Sequence, residues 1–333
     1  MAMPAPEATV RIAARLTNRF ALDLVKLGGF GRDVIDGLLL MAISQANVAQ
    51  ITRNPELQLT YATLDQVPSD DLRRPVSMSA IANSLCIPFE TTRRRIQALA
   101  KLGVIQATPR GVIVPQAPHG SPFYRVAAEG NYMLVRTLYF RLRTIGLLDQ
   151  LPRPNSPVFD PENPPMRIVM RLSADYLLRL AEPLTRLIGD LVTALILLDT
   201  INANTEHLVD DETQDGDLVL TQDGFVRDTA RVPVKTNTLA GRLGIPSETV
   251  RRHLKRMLDA DLCERTDDGF IVSSRILARD PFVRYILDNQ THMHRLFLGL
   301  AELGVISEWE REDPKGSCPG LIGGQNIPKP QNG

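Results

Sequence analysis

The sequence predicts a mainly α-helical protein with small β-hairpin wings, in which one helical unit is written twice. Three observations carry this expectation. Apolar residues recur at three- and four-residue spacings through most of the chain, the mark of helices that bury one stripe. Two segments each read as helix, tight turn, helix and hairpin. Those two segments also align with each other without a gap: residues 75–95 against 233–253 share ten identities in 21 positions. Ordinary composition gives roughly one or two such matches by chance.

The self-match extends both ways. "RIAARLTNRFALDL" at 11–24 parallels "RIVMRLSADYLLRL" at 167–180, "LLLMAISQAN" at 38–47 parallels "LILLDTINAN" at 195–204, and "PFYR" at 122–125 parallels "PFVR" at 281–284. The offset stays between 156 and 159, so the repeat is collinear. It places one unit at 11–148, with its helix-turn-helix at 77–102 and wing at 104–114. The second unit is 167–306, with its helix-turn-helix at 235–260 and wing at 262–272. The two form an internal duplication.

Within each unit the same order recurs. An apolar-periodic helix comes first and breaks near Gly28-Gly29 in one copy and near Pro183 in the other. A longer helix follows at about 32–50 and 184–204. The run "LVTALILL" at 191–198, between Asp190 and Asp199, is too short to span a bilayer and reads as a buried helix. A polar connector leads to the helix-turn-helix, and a closing helix ends each unit. Between the units, 149–166 carries six prolines and reads as an extended spacer. The tail at 307–333 has no periodicity and is expected to be disordered.

The segment "PVKTNTLAGRLGIPSETVRRHLKRM" at 233–257 shows the central motif best. Leu239, Ala240 and Leu243 mark the first helix, Gly244-Ile245-Pro246 the turn, and Val250, Leu254 and Met257 the apolar stripe of the second. The other face of the second helix shows Ser247, Glu248, Thr249, Arg251, Arg252 and Lys255. Two short apolar runs around Asp267-Asp268-Gly269 then signal a hairpin. Helix, turn, helix and hairpin make a winged helix.

The run "PSETVRR" resembles the start of the recognition helix in the cyclic-AMP receptor protein superfamily and in GntR-type repressors. The whole unit also resembles one subunit of the multiple-antibiotic-resistance regulator (MarR) family, in which terminal helices of two subunits pack together. The resemblance implies an internal pseudo-dimer that places two recognition helices on two half-sites about 34–36 Å apart. It puts Phe89, Glu90 and Arg94, and in the second copy Ser247, Glu248 and Arg252, at base edges. Arg can fork to guanine and Glu can accept from cytosine. Thr91, Arg93, Thr249 and Arg251 then face phosphates, with Arg95 and Lys255 on the same basic faces and Arg110 at the tip of the first wing. Phe89 departs from the polar residue usual at its position. Asp267 and Asp268 at the second wing tip would be repelled by phosphates, which leaves open whether the second module contacts DNA.

Charge supports the same reading locally. The chain has 333 residues and a formal net charge of zero. From Arg73 to Arg110, however, seven Lys/Arg face one acid, and so they do from Arg231 to Arg256, while 204–230 carries a net of −7. Local basic patches suffice for phosphate attraction, although solvated arginine faces are common on any surface. The three cysteines make neither a disulfide framework nor a metal site, and no signal peptide or membrane span is legible, so a cytoplasmic bacterial protein is expected. His292 and His294 lie two apart on one helix and are a poor metal pair. "GGFG" at 28–31 lacks a preceding strand and is no phosphate loop. No catalytic site, metal or cofactor is expected.

These residues predict a sequence-specific transcriptional regulator of double-stranded DNA without enzymatic activity. The alternative is a winged-helix module that grips a protein partner or serves a structural role. A small-molecule effector between the helices and a homodimer of whole chains both stay open.

Overall fold

The computed structural model describes residues 8–28, 34–153, 159–208, 220–221 and 224–314. It is mainly helical, with two small antiparallel hairpins. In chain order, α1 (Ala8–Gly28) and α2 (Val34–Asn47) are followed by the short α3 (Ala49–Thr52) and α4 (Pro55–Thr60). Then come α5 (Met78–Ser84), α6 (Phe89–Lys101), the hairpin β1 (Gln106–Thr108) and β2 (Gly111–Ile113), and α7 (Pro122–Thr144). The order restarts with α8 (Met166–Ile188), α9 (Leu191–Thr205), α10 (Thr236–Leu243), α11 (Ser247–Asp259), the hairpin β3 (Glu264–Arg265) and β4 (Phe270–Ile271), and α12 (Ser274–Leu277). The last elements are α13 (Asp280–Glu302) and α14 (Val305–Glu312).

Compactness cuts the chain differently from the repeat. Residues up to Leu22 join Leu180–His292 in one unit, and Asp23–Arg179 join the residues from Met293 onward in the other. The larger, N-terminal part of each repeat's first helix, 8–22 of α1 and 166–179 of α8, therefore falls in the compact unit that holds most of the other repeat. Matched buried polar bonds hold each one. Asn289 donates to Thr17 Oγ1 at 2.7 Å in the first unit, and Asn131 donates to Ser173 Oγ at 3.0 Å in the second. An unpaired buried amide costs more than the bond gains, so each contact specifies its partner helix.

The first unit is built around α9, buried on nearly all sides from Leu191 to Thr205. Asp190 caps it by accepting from Thr193 N at 2.8 Å, after Gly189 turns the chain at φ +97°. This helix was expected to start near 184. The break sits instead at Gly189-Asp190, and α8 runs unbroken through Pro183. Pro183 is exposed, while Leu180, Leu184 and Thr185 on either side of it are buried. The missing hydrogen bond thus falls where water can replace it, and the apolar stripe holds the helix together.

The second unit contains α2 and α7 together with the end of the described chain. The tail was expected to lose structure from 307. Instead Val305–Glu312 is helical and Trp309 is fully buried. Trp309 packs edge-on to Tyr132 at 5.6 Å and tilted against Tyr139 at 5.8 Å. Glu310 accepts from Tyr139 Oη at 2.5 Å and pairs with Arg153 at 2.7 Å, and Glu312 pairs with Arg136 at 3.0 Å. All these partners lie far away in sequence, so local periodicity could not report them. Residues 315–333 of the expected tail, part of the acidic connector, part of the proline-rich spacer and Gly29-Phe30-Gly31 lie outside the described residues. No helix among the described residues is long and apolar enough to cross a membrane.

Candidate nucleic-acid interface

Each helix–helix–hairpin block is tied to its long helix by one buried asparagine. Asn47, at the end of α2, donates to Arg74 O at 2.7 Å and Val112 O at 3.2 Å, and accepts from Val114 N at 2.9 Å. Asn204 in α9 donates to Val232 O at 2.8 Å and Phe270 O at 3.0 Å, and accepts from Val272 N at 3.0 Å. Both side chains are fully buried. A second clamp repeats as well. Arg73 is buried and bonds Asp70 at 3.1 Å and Pro68 O at 3.2 Å; Arg231 is buried and bonds Asp228 at 3.2 Å and Val226 O at 3.0 Å. Asp70 in turn accepts from Gln116 N and Asp228 from Ser274 N, each at 2.7 Å. The sequence alignment ended on both asparagines without singling them out.

The hairpins lie close against the residues that precede each helix pair, through the bridges Val76–Val112 and Val234–Phe270. Gly111 has φ +139° and Gly269 φ +153°, and a Cβ there would stand 2.3 Å from Val76 O and 2.5 Å from Val234 O. Glycine is required at both for backbone approach. Between the paired helices, Gly244 occupies the left-handed region at φ +65°, and Cys86 takes the matching place in the first copy at φ +49°.

On α6, Thr92, Ile96 and Leu99 are buried, and on α11 Val250, His253, Leu254 and Met257. The remaining positions divide into three groups. Arg94 and Arg252 are exposed, at matching positions, and among the described residues neither has an ion-pair or hydrogen-bond partner. Arg93 and Arg251 are exposed but lie on Glu90 at 2.7 Å and Glu248 at 2.8 Å, each one helical turn back. Lys255 meets Asp259 at 3.0 Å. Such exposed pairs are weak, so these cations exchange partners at little cost. Phe89 is 46% exposed at the start of α6, which settles that its ring is no core residue. Thr91, Ser247 and Thr249 are half-buried, and Arg110 is exposed at the turn of the first hairpin.

The third group is turned inward. Arg95 is half-buried and bonds Asp36 of α2 at 2.7 Å, so it docks α6 rather than joining the outer face. Its counterpart His253 is buried, 2.7 Å from Thr193 Oγ1, and burial lowers its pKa despite the nearby Asp190. Arg242 pairs with buried Asp199 at 3.0 Å and with Glu206 at 2.9 Å. Charge counted along the sequence therefore overstates the outward charge, because Arg73, Arg95, Arg231 and Arg242 serve the interior. Asp267 and Asp268 are exposed at the second hairpin tip. Among the described residues no group of three His, Cys, Asp or Glu is placed to hold a metal ion. No family model, curated protein or solved structure matches this chain.

Proposed function

We propose that this chain is a sequence-specific, non-enzymatic DNA-binding transcriptional regulator of the cytoplasm, with two winged helices in one polypeptide acting as a fused pseudo-dimer. One observation carries the reading. At the same place in two repeated helix–helix–hairpin blocks, the outer helix holds an exposed arginine, Arg94 and Arg252, with no ion-pair or hydrogen-bond partner among the described residues. The outer helix of such a block is the one that enters a major groove, and an arginine near its start can fork to guanine. Exchange of first helices between the two repeats supports the fused-dimer part, since subunits that share terminal helices would leave this pattern when joined.

Selection of bound sequences from random duplex DNA tests the proposal. A pseudo-palindrome with unequal halves is expected, because Phe89 stands in one helix where Ser247 stands in the other. Affinity should fall steeply with salt, and Arg94→Ala with Arg252→Ala should each remove about 1–3 kcal/mol of discrimination. Equal binding of all sequences by parent and double variant would refute it. The exposed Asp267 and Asp268 favour a second reading, in which the second module grips a basic protein surface. Association that ignores added DNA would decide for that reading.

A further inference from the structure

The two outer helices, α6 and α11, start alike. Each follows an exposed proline whose backbone enters the helix at nearly the same angles, φ −53° and ψ 134° at Pro88 and φ −55° and ψ 136° at Pro246. Glu90, Thr91, Arg93 and Arg94 of α6 match Glu248, Thr249, Arg251 and Arg252 of α11 in residue type. Their surroundings match as well: both glutamates hold the arginine one turn on, both threonines are half-buried, and both second arginines are exposed. The first helical position is the exception. Phe89 stands there in α6 and is 46% exposed, and Ser247 stands there in α11.

Outward residues further along the two helices also differ, Gln97 from Lys255 and Ala98 from Arg256. They lie in later turns, and in α11 both cations already have acids: Lys255 meets Asp259 and Arg256 meets Asp190, each at 3.0 Å. An outer helix meets base edges with its N-terminal residues. Within that stretch one outward position, 89 against 247, distinguishes the repeats. The fold does not require a phenyl ring there, because the second repeat starts the same helix with serine. A phenyl ring neither donates nor accepts hydrogen bonds, so laid over a polar base edge it strips that edge of water and leaves it unpaired. In the major groove the one apolar group that any of the four bases presents is the C5-methyl of thymine.

We infer that Phe89 reads the C5-methyl group of a thymine, and that this contact is the difference between the two half-sites. The other base contacts are shared, so both halves carry the same guanine opposite Arg94 or Arg252. This role depends on the DNA-binding reading and sharpens it. The first repeat takes a thymine-bearing half-site, and the second takes the same half-site without selection for a methyl group at that position. One methyl group moved from water to an apolar surface is worth about fourfold in affinity.

Selection from random duplex DNA with the full chain comes first. Each selected thymine is then replaced, one at a time, by deoxyuridine, which removes the methyl group alone, and fluorescence anisotropy at fixed salt measures affinity. Two half-sites with a common guanine are expected, one of them with a selected thymine, and uracil at that position should weaken binding about fourfold. Phe89→Ser should bind thymine and uracil there equally, and Ser247→Phe should select a thymine in the second half-site too. Because Ser247→Phe gains a preference, a misfolded variant cannot mimic it. Indifference of the parent to every uracil, or an equal response to uracil in parent and Phe89→Ser, would overturn the role of Phe89 while sequence-specific binding stands. Binding of all sequences alike by the parent would overturn the DNA-binding reading itself, and the role of Phe89 with it.

Discussion

Replacing Asn47 by alanine tests how the helix–helix–hairpin blocks are held. The side chain makes three bonds, to Arg74 O, Val112 O and Val114 N, and is fully buried. At about 1 kcal/mol net per bond the loss is about 3 kcal/mol, and more if no water reaches the orphaned groups. Asn204→Ala removes the same three bonds from the other block and should cost the same within about 1 kcal/mol. Urea unfolding followed by circular dichroism measures the total, and amide exchange assigns it. Val114 should exchange faster in the first variant and Val272 in the second, with the other amide unchanged. A loss below about 0.5 kcal/mol in either variant, the range of ordinary surface changes, would refute the reasoning.

Other expectations follow from the same geometry. Trp309→Ala should destabilise the second unit by about 3–5 kcal/mol, because a fully buried ring leaves a cavity between Tyr132 and Tyr139. Thermal unfolding unchanged by that substitution would show that α14 does not belong to the core. The pH dependence of stability should carry a contribution from His119, whose folded pKa is lowered to about 4 by burial and by Arg73 and Arg167. The unfolded chain takes up this proton near pH 6.5, so the contribution is complete above that pH and drains as pH falls toward 4; a gap of this size corresponds to at most about 3 kcal/mol. His119→Asn should flatten urea-midpoint changes between about pH 7 and pH 4, and parallel losses in parent and variant would exclude the contribution.

Much of the local architecture was legible because its causes are local. Three- and four-residue spacing of Leu239, Leu243, Val250, Leu254 and Met257 orients α10 and α11, and Gly269 marks a hairpin that admits no Cβ. The same spacing places Arg94 and Arg252 on the outer face, since a helix exposes whatever its apolar stripe does not cover. Spacing does not reveal which exposed-looking charge finds a distant acid. Arg95 neighbours Arg94 in sequence, yet it turns to Asp36 of another helix and is half-buried there.

What the chain determines by itself is the repeat, the order of its elements and the stripe each helix must bury, because those depend on neighbours three or four residues away. Only the tertiary structure decides that the larger part of each repeat's first helix groups with the other repeat, that Trp309 extends the fold beyond 307, and that Arg167 and Arg171 are buried without a carboxylate in contact. Each of these depends on contacts between residues far apart in the chain, and a buried polar or aromatic group can be satisfied in only a few of the arrangements that local pattern allows.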